Sequence, residues 1–534
     1  MSRAVRVAAL IYAGSILLSR VIGLVREAVI GRVLGDQPEA DVYWVAFILP
    51  DFLNYLLAGG ALALVLIPIL QAATQRGGSA ERWVTFWRVS TPVSLLTISM
   101  TALLWIVTPH LTPHLSPGFT TDQLALLNRL TRIILPAQIF HVCGALISST
   151  LQADDRHIAP ALAPLIYTGS IIAGGVLLGP TLGAEGFAWG VLIGSALGPL
   201  ICPLIAARRS GLSLQPRWEL NHPELKRYLW RALPVMLGFS VVMLDELIIK
   251  RLATGFESGV VSQLHYARTL MRVPMGVFGL AMGMAAFPTL SRLIAQGKEP
   301  EALTLLRRAT EALLILVGIS QVALTLSARE FATLIWGSQR LSADGAQGIG
   351  LYCAALSIGL WAWSAQGLIA RGFYARGQTW LPTLVGSLTL LVCLPLYGYA
   401  QQEQIWIRDL CAWLEIVYRP GLGLSLASST AISAYVIALW TTLAWVTGGG
   451  ARQVFGLALT LCKVAGAALL AIWLTTYIWP RHQSYSDFAW ILIYGGGRAL
   501  MGGVIFVLIG FLLRLQSITT LTHKLRQRLK RHKS

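Results

Sequence analysis

The sequence predicts an all-α polytopic membrane protein of about fourteen transmembrane helices, arranged as two six-helix lobes followed by two additional C-terminal helices. Three observations predict it. The 534 residues are 55% hydrophobic and only 12% charged, with a mean hydropathy of +0.65, a balance that excludes an ordinary soluble enzyme. Apolar stretches of about 20 residues recur along the whole chain, each long enough to cross a hydrocarbon core roughly 30 Å thick. Lys and Arg concentrate in alternate loops, as cytoplasmic loops of membrane proteins retain positive charge.

In chain order, the first lobe reads as spans at 8–35, 42–70, 84–108, 124–153, 158–179 and 187–207. Arg3 and Arg6 ahead of an apolar run imitate a signal peptide. Arg20 interrupts that run and no small-residue cleavage site follows, so the segment reads as a retained first helix. A connector with Arg208, Arg209, Arg217, Lys226 and Arg227 leads to spans at 228–253, 266–294, 302–326, 348–370, 381–400 and 421–446. Two more, at 454–479 and 488–513, precede a tail holding Lys524, Arg526, Arg528, Lys530, Arg531 and Lys533. The expected organisation is therefore an N-terminal lobe (1–207), a cytoplasmic connector (208–227), a second lobe (228–446), an extra helix pair (447–513) and a basic tail (514–534).

Loop charge checks the count, because one missed span would invert every later assignment. Segments 36–41, 109–123, 180–186 and 255–259 contain no Lys or Arg, whereas the loops opposite them are basic. Both termini are thus expected in the cytoplasm. The later outside loops depart from the pattern, holding Arg329 and Arg340, then Arg481; segment 401–420 departs most, with Arg408 and Arg419, and reads as an interfacial amphipathic helix around Trp406, Trp413 and Leu414. The net charge of +18 follows this topology and faces anionic lipid; nucleic acid is not an expected partner. Six dispersed cysteines without CxxC spacing suggest no metal or redox site. No HExxH, P-loop or GxSxG motif appears, so neither catalysis nor a cofactor is expected. Asp36, Glu39 and Asp41 form only a weak glycosyltransferase-like acidic set.

Charges inside spans are expensive and mark a cavity or an ion pair. Arg20 lies roughly 18 Å into the first helix, followed by Arg26 and Glu27. Arg20 and Glu27 are seven apart and share a face, with Arg26 turned aside. Guanidinium groups in a wet cavity suit a phosphate-bearing anion; a fixed salt bridge with Asp41, Asp51 or Glu27 is the alternative. In the second lobe Asp245 and Glu246 precede Lys250 and Arg251. Arg268 and Arg272, four apart on the next span, either close the outer mouth of the path or snorkel to headgroups. Arg498 stands alone in the last span, and His141 is expected to make an interhelical hydrogen bond.

The strings LSRVIGLVREAVIGRVLG, VAFILPDFLNYLLAGGALALVLIPIL, HYARTLMRVPMGVFGLAMGMAAFPTLSRLIAQGK and QGLIARGFYARGQTWLPTLVG together resemble the MurJ/MviN family of the multidrug/oligosaccharidyl-lipid/polysaccharide exporter superfamily. The resemblance implies two lobes around an alternating-access cavity and a groove for a lipid tail along the last two helices. It also implies flipping of lipid II, the polyprenyl-pyrophosphate-linked peptidoglycan precursor, across the bacterial cytoplasmic membrane. Arg20, Arg26, Glu27 and Asp41 match the family's cavity charges, and Arg268 and Arg272 are added as substrate-binding candidates. Where the family has Asn, an Arg pair and Glu in the second span, this chain has Asp51, Asn54 with Tyr55, and Gly59; Thr269 replaces a cavity Arg. The eleventh span, LTLLVCLPLYGYA, lacks the Asn or Asp with which some relatives bind sodium. An exporter of another polyprenyl-linked glycan, a cationic-drug exporter and a flippase-derived scaffold that does not transport are the remaining readings. The sequence leaves the oligomeric state open.

Overall fold

The computed structural model describes residues 3–57, 61–212, 215–236, 241–402, 405–413, 417–480, 488–513 and 515. Among them the chain is all helical, and its contacts divide it into two units, Met1–Gly238 with Ser338–Leu341, and Phe239–Gly337 with Ser342–Ser534. Eleven helices or continuous helix pairs are long and apolar enough to cross a membrane, or twelve when the pair Ala343–Ser357 and Leu360–Tyr374, bent by 43°, counts as one.

The first unit contains α1 (Arg3–Leu34), α2 (Pro38–Val45), α3 (Ile48–Leu57), α4 (Ala61–Leu115), α5 (Thr121–Ile134) and α6 (Ala137–Ala153). It continues with α7 (Ile158–Leu177), α8 (Gly179–Leu182), α9 (Ala184–Ser195), a π-helical turn (Ala196–Ile201), α10 (Cys202–Arg208) and α11 (Pro223–Met236). Pro38 opens α2, where a missing N–H costs nothing, and Glu39 and Asp41 in its first turn complement the helix dipole. The predicted span at 42–70 is broken before α3 for a physical reason. Pro50 cannot donate to the Ala46 carbonyl, which instead accepts from Thr131 Oγ1 at 3.4 Å. The long helix α4 breaks at Gly77 and Gly78, the latter at φ 68°. A Thr120–Gln123 capping box starts α5. Its apolar core gathers Leu53, Leu66, Leu70, Phe86, Val89 and Leu146.

A short strap from far along the chain belongs to this unit. The Arg340 carbonyl accepts from Gln37 Nε2 at 3.1 Å, and its guanidinium lies 4.0 Å from Glu39. Gly35, at φ 65°, makes room, since a Cβ there would lie 2.1 Å from the Arg340 oxygen. Glu39 in turn accepts from the Ala184 N–H at 2.5 Å, which ties down the start of α9.

The second unit contains α12 (Val241–Ala253), α13 (Val260–Pro274), a π-helical turn (Met275–Gly279), α14 (Leu280–Ala295), α15 (Glu299–Trp336) and α16 (Ala343–Ser357). It is completed by α17 (Leu360–Tyr374), α18 (Trp380–Gln401), α19 (Ile405–Trp413), α20 (Leu422–Val446), α21 (Gly450–Ile478) and α22 (Phe488–Leu512). Helix α19 falls where the interfacial helix is expected; the side chains of Trp406, Trp413 and Leu414 lie outside the described residues, as does the basic tail. Tyr266 stacks on Trp336 at 4.8 Å, fixing α13 to the end of α15.

Candidate functional site

Two charged sets sit inside helices, one in each unit. In the first unit, α1 brings Arg26 and Glu27 together: Arg26 Nη2 donates to Glu27 Oε1 in an ion pair. The carboxylate side is nearly closed, whereas the Arg26 side chain keeps 28% of its surface open. Tyr167 of α7 and Tyr43 of α2 add to the electrostatic surroundings of Arg26, and Asp51 of α3 acts on Tyr167. His141 of α6 lies edge-on to Tyr167 with ring centroids 5.2 Å apart, and its Nε2 is 3.0 Å from Ser195 Oγ. That is the expected interhelical hydrogen bond. Asp41 is buried on α2. The Arg20 side chain lies outside the described residues.

The Arg26–Glu27 pair is one of the salt bridges the sequence reading allowed, although facial spacing sets Arg26 aside. Adjacent residues diverge by about 100° around a helix, but a long guanidinium stem spans that gap when both groups turn away from lipid. The result is a partly compensated cation, 28% exposed, with two tyrosine hydroxyls in its surroundings.

In the second unit, the consecutive acids of α12 serve different partners. Asp245 is fully buried and receives three groups: Arg268 Nη1 at 2.6 Å, Ser428 Oγ at 3.0 Å, and the Tyr397 hydroxyl, which donates to its other oxygen. Arg268 also donates to Ser428 Oγ at 3.3 Å and lies 5.6 Å from the Trp363 ring centre. Such a pair repays its desolvation only with additional hydrogen bonds, which the Ser428 and Tyr397 hydroxyls supply here. Glu246 pairs with Arg272 and with Lys250 Nζ at 3.1 Å, while His265 Nδ1 stands 3.9 Å away. A cavity of about 10 Å³, with room for roughly one water, touches Glu246, Lys250, His265 and Arg268.

The structure therefore separates two arginines that share a helix face in the sequence reading. Arg268 is 4% exposed and does not snorkel, whereas the Arg272 side chain is 44% exposed. Tyr397, Ser428 and Trp363 were missed by sequence reasoning. The hydroxyl of Tyr397 within an apolar run was the available signal, because a buried phenol needs a partner.

Comparison with known proteins identifies the family. Residues 30–494 match the family model described as lipid II flippase MurJ. A probable lipid II flippase MurJ of Rhizobium meliloti (strain 1021) is 28% identical over 490 residues, covering 85% of this chain and 90% of that protein. The lipid II flippase MurJ of Burkholderia cenocepacia is 28% identical over 422 residues, 74% of this chain and 79% of its own. Among solved structures, a lipid II flippase MurJ in an inward closed conformation superposes with TM-score 0.73 at 19% identity, covering 94% of this chain and 98% of that one. An inward-facing multidrug MATE transporter of the MOP superfamily gives 0.64 at 14% identity, covering 81% and 95%. The two structural likenesses are of fold. With a family model matched over most of its length and apolar helices throughout, the chain is a multi-pass membrane protein that belongs to the lipid II flippase MurJ family.

Proposed function

We propose that this protein moves lipid II, the polyprenyl-pyrophosphate-linked peptidoglycan precursor, across the bacterial cytoplasmic membrane by alternating access, with both termini in the cytoplasm. Family membership supports the reaction, and one observation carries the site: the Arg26 side chain, 28% exposed, paired with Glu27 and near Tyr43 and Tyr167. A pyrophosphate offers the bidentate oxygens that a guanidinium prefers. Arg20, six residues earlier on α1, is proposed as the second arginine to engage the pyrophosphate, and Glu27 with Asp41 tunes and releases the anion. Arg272, open to its surroundings, offers a second contact, while Arg268 holds Asp245 in place.

No covalent bond changes in this cycle; the protein supplies a polar route for a headgroup whose desolvation otherwise blocks passage. The membrane potential is the drive we propose, since a charge crossing 100 mV changes energy by about 2.3 kcal/mol. The prenyl chain stays in lipid or along α21 and α22.

The test is leaflet transfer of lipid II in proteoliposomes. Arg26→Ala is expected to reduce transfer by two orders of magnitude with a melting temperature close to that of the unsubstituted protein. Undiminished transfer would remove Arg26 from the substrate path. A second reading, another polyprenyl-pyrophosphate glycan as substrate, is favoured by the uncharged Asn54 and Tyr55 on α3; supplying both lipids to the same proteoliposomes separates the two.

A further inference from the structure

Outside both charged sets, one guanidinium of the second unit stands without an acid. Arg371, in the last turn of α17, is partly exposed, and among the described residues no carboxylate or hydrogen-bond acceptor answers it. Glu299 and Glu311 of neighbouring α15 are taken by Arg376 and Arg307. The Arg371 side chain leans across to α14, where a Cβ on Gly283 would fall 1.3 Å from its Nη1 and 2.5 Å from its Cζ. Only a glycine lets the guanidinium lie there. Gly283 is buried, and it precedes the end of α14 at Ala295 by about 18 Å along the helix axis. An arginine that snorkelled to headgroups would point toward that end instead. One turn back on α17, a Cβ on Gly367 would meet nothing within 4 Å, which leaves open space on the side toward which helical side chains lean. Tyr374, three residues on and 46% exposed, is within electrostatic reach of the guanidinium.

We propose that Arg371 is a further substrate-binding residue, which takes phosphate oxygens of the polyprenyl pyrophosphate in the space beside Gly367. A cation without a counter-ion among apolar helices is costly, and the fork of a guanidinium is matched by the paired oxygens of a phosphate. Arg376, five residues on, shows the contrast. Its guanidinium donates twice to Glu299 and once to the Gly372 carbonyl, and so is spent on protein partners. The five N–H donors of Arg371 are all unused among the described residues. Gly283 is a positioning residue: the hollow it leaves on α14 holds the fork inward, where a larger residue would push it away.

This inference rests on the flippase reading for the identity of the anion. The experiment takes the full-length protein in detergent and measures binding of undecaprenyl pyrophosphate, binding of phosphatidylglycerol and thermal unfolding, with lipid II transfer read in proteoliposomes. Arg371→Ala should weaken undecaprenyl pyrophosphate binding about tenfold, the loss of one charge-assisted contact, and should slow transfer, with phosphatidylglycerol binding and the melting temperature unchanged. Arg371→Lys keeps the charge without the fork and should fall between. Gly283→Ala leaves every charge in place and only displaces the guanidinium, so it should weaken binding as Arg371→Ala does, and the double variant should lose no more than either single one. Undiminished pyrophosphate binding or transfer in Arg371→Ala, additive losses in the double variant, or a loss of phosphatidylglycerol binding in place of pyrophosphate binding, the mark of an ordinary headgroup anchor, would each overturn the site. So would an unsubstituted protein that does not bind undecaprenyl pyrophosphate. If that protein binds it yet transfers no lipid II, the flippase reading fails, and the binding comparison still decides Arg371.

Discussion

Asp245 and Glu246 are adjacent in sequence, yet their surroundings give the arginines opposite them very different weight. Removing one member of a buried, hydrogen-bonded pair leaves the other charge unpaired at a cost of about 3–5 kcal/mol, whereas an exposed pair contributes about 0–1 kcal/mol. Arg268→Ala should therefore lower the melting temperature sharply, and Arg272→Ala only slightly; equal shifts in thermal unfolding would refute the assignment of Arg268 as a structural cation. The same contrast limits what single residues disclose. Arg26, Asp245 and Arg268 stood out in the sequence because charge inside an apolar run is costly anywhere. Their partners did not, since Tyr397 and Ser428 are 152 and 183 positions from Asp245 and nothing local announces that they converge on it. Arg371 was hidden for a different reason: it lies just beyond the span drawn at 348–370, in what read as a basic loop, and only α17 running on to Tyr374 makes it part of a helix.

Among the helices, apolar periodicity located nearly every element, and the departures follow from proline and glycine. The break between α2 and α3 follows from the missing Pro50 donor, and the break in α4 from Gly77 and Gly78. Glycines also set how closely α7 and α9 approach. A Cβ on Gly190 would lie 2.8 Å from the Ser170 carbonyl oxygen and 2.9 Å from the Ile171 Cα, both backbone atoms that cannot swing away. Gly190→Val should destabilise the first unit by about 1–3 kcal/mol through overpacking, read as a lower melting temperature and weaker membrane accumulation. Wild-type behaviour would mean that the two helices separate without cost. No rule of composition reveals such a seam, because Gly is frequent throughout membrane helices for several reasons.

For the molecule as a whole, the orientation drawn from loop charge has a direct test at the two ends of α15. At 1.5 Å per residue its 38 residues extend about 57 Å, more than a bilayer with its headgroups. Gln339 and Lys298, both exposed, flank it. In a variant lacking the six native cysteines, Gln339→Cys should react with a membrane-impermeant maleimide in spheroplasts, and Lys298→Cys only after lysis. The opposite pattern would invert the proposed topology.

The broken corner of α4 has a practical use that follows from its geometry. A Cβ on Gly78 would meet nothing within 4 Å, and the loop charges assign this corner to the cytoplasm. Foreign sequence spliced after Gly78, such as an epitope or a small fluorescent domain, would displace no packed atom there. It would give antibodies a rigid handle close to the bilayer, enlarging a particle otherwise too small and too smooth to align well in electron micrographs.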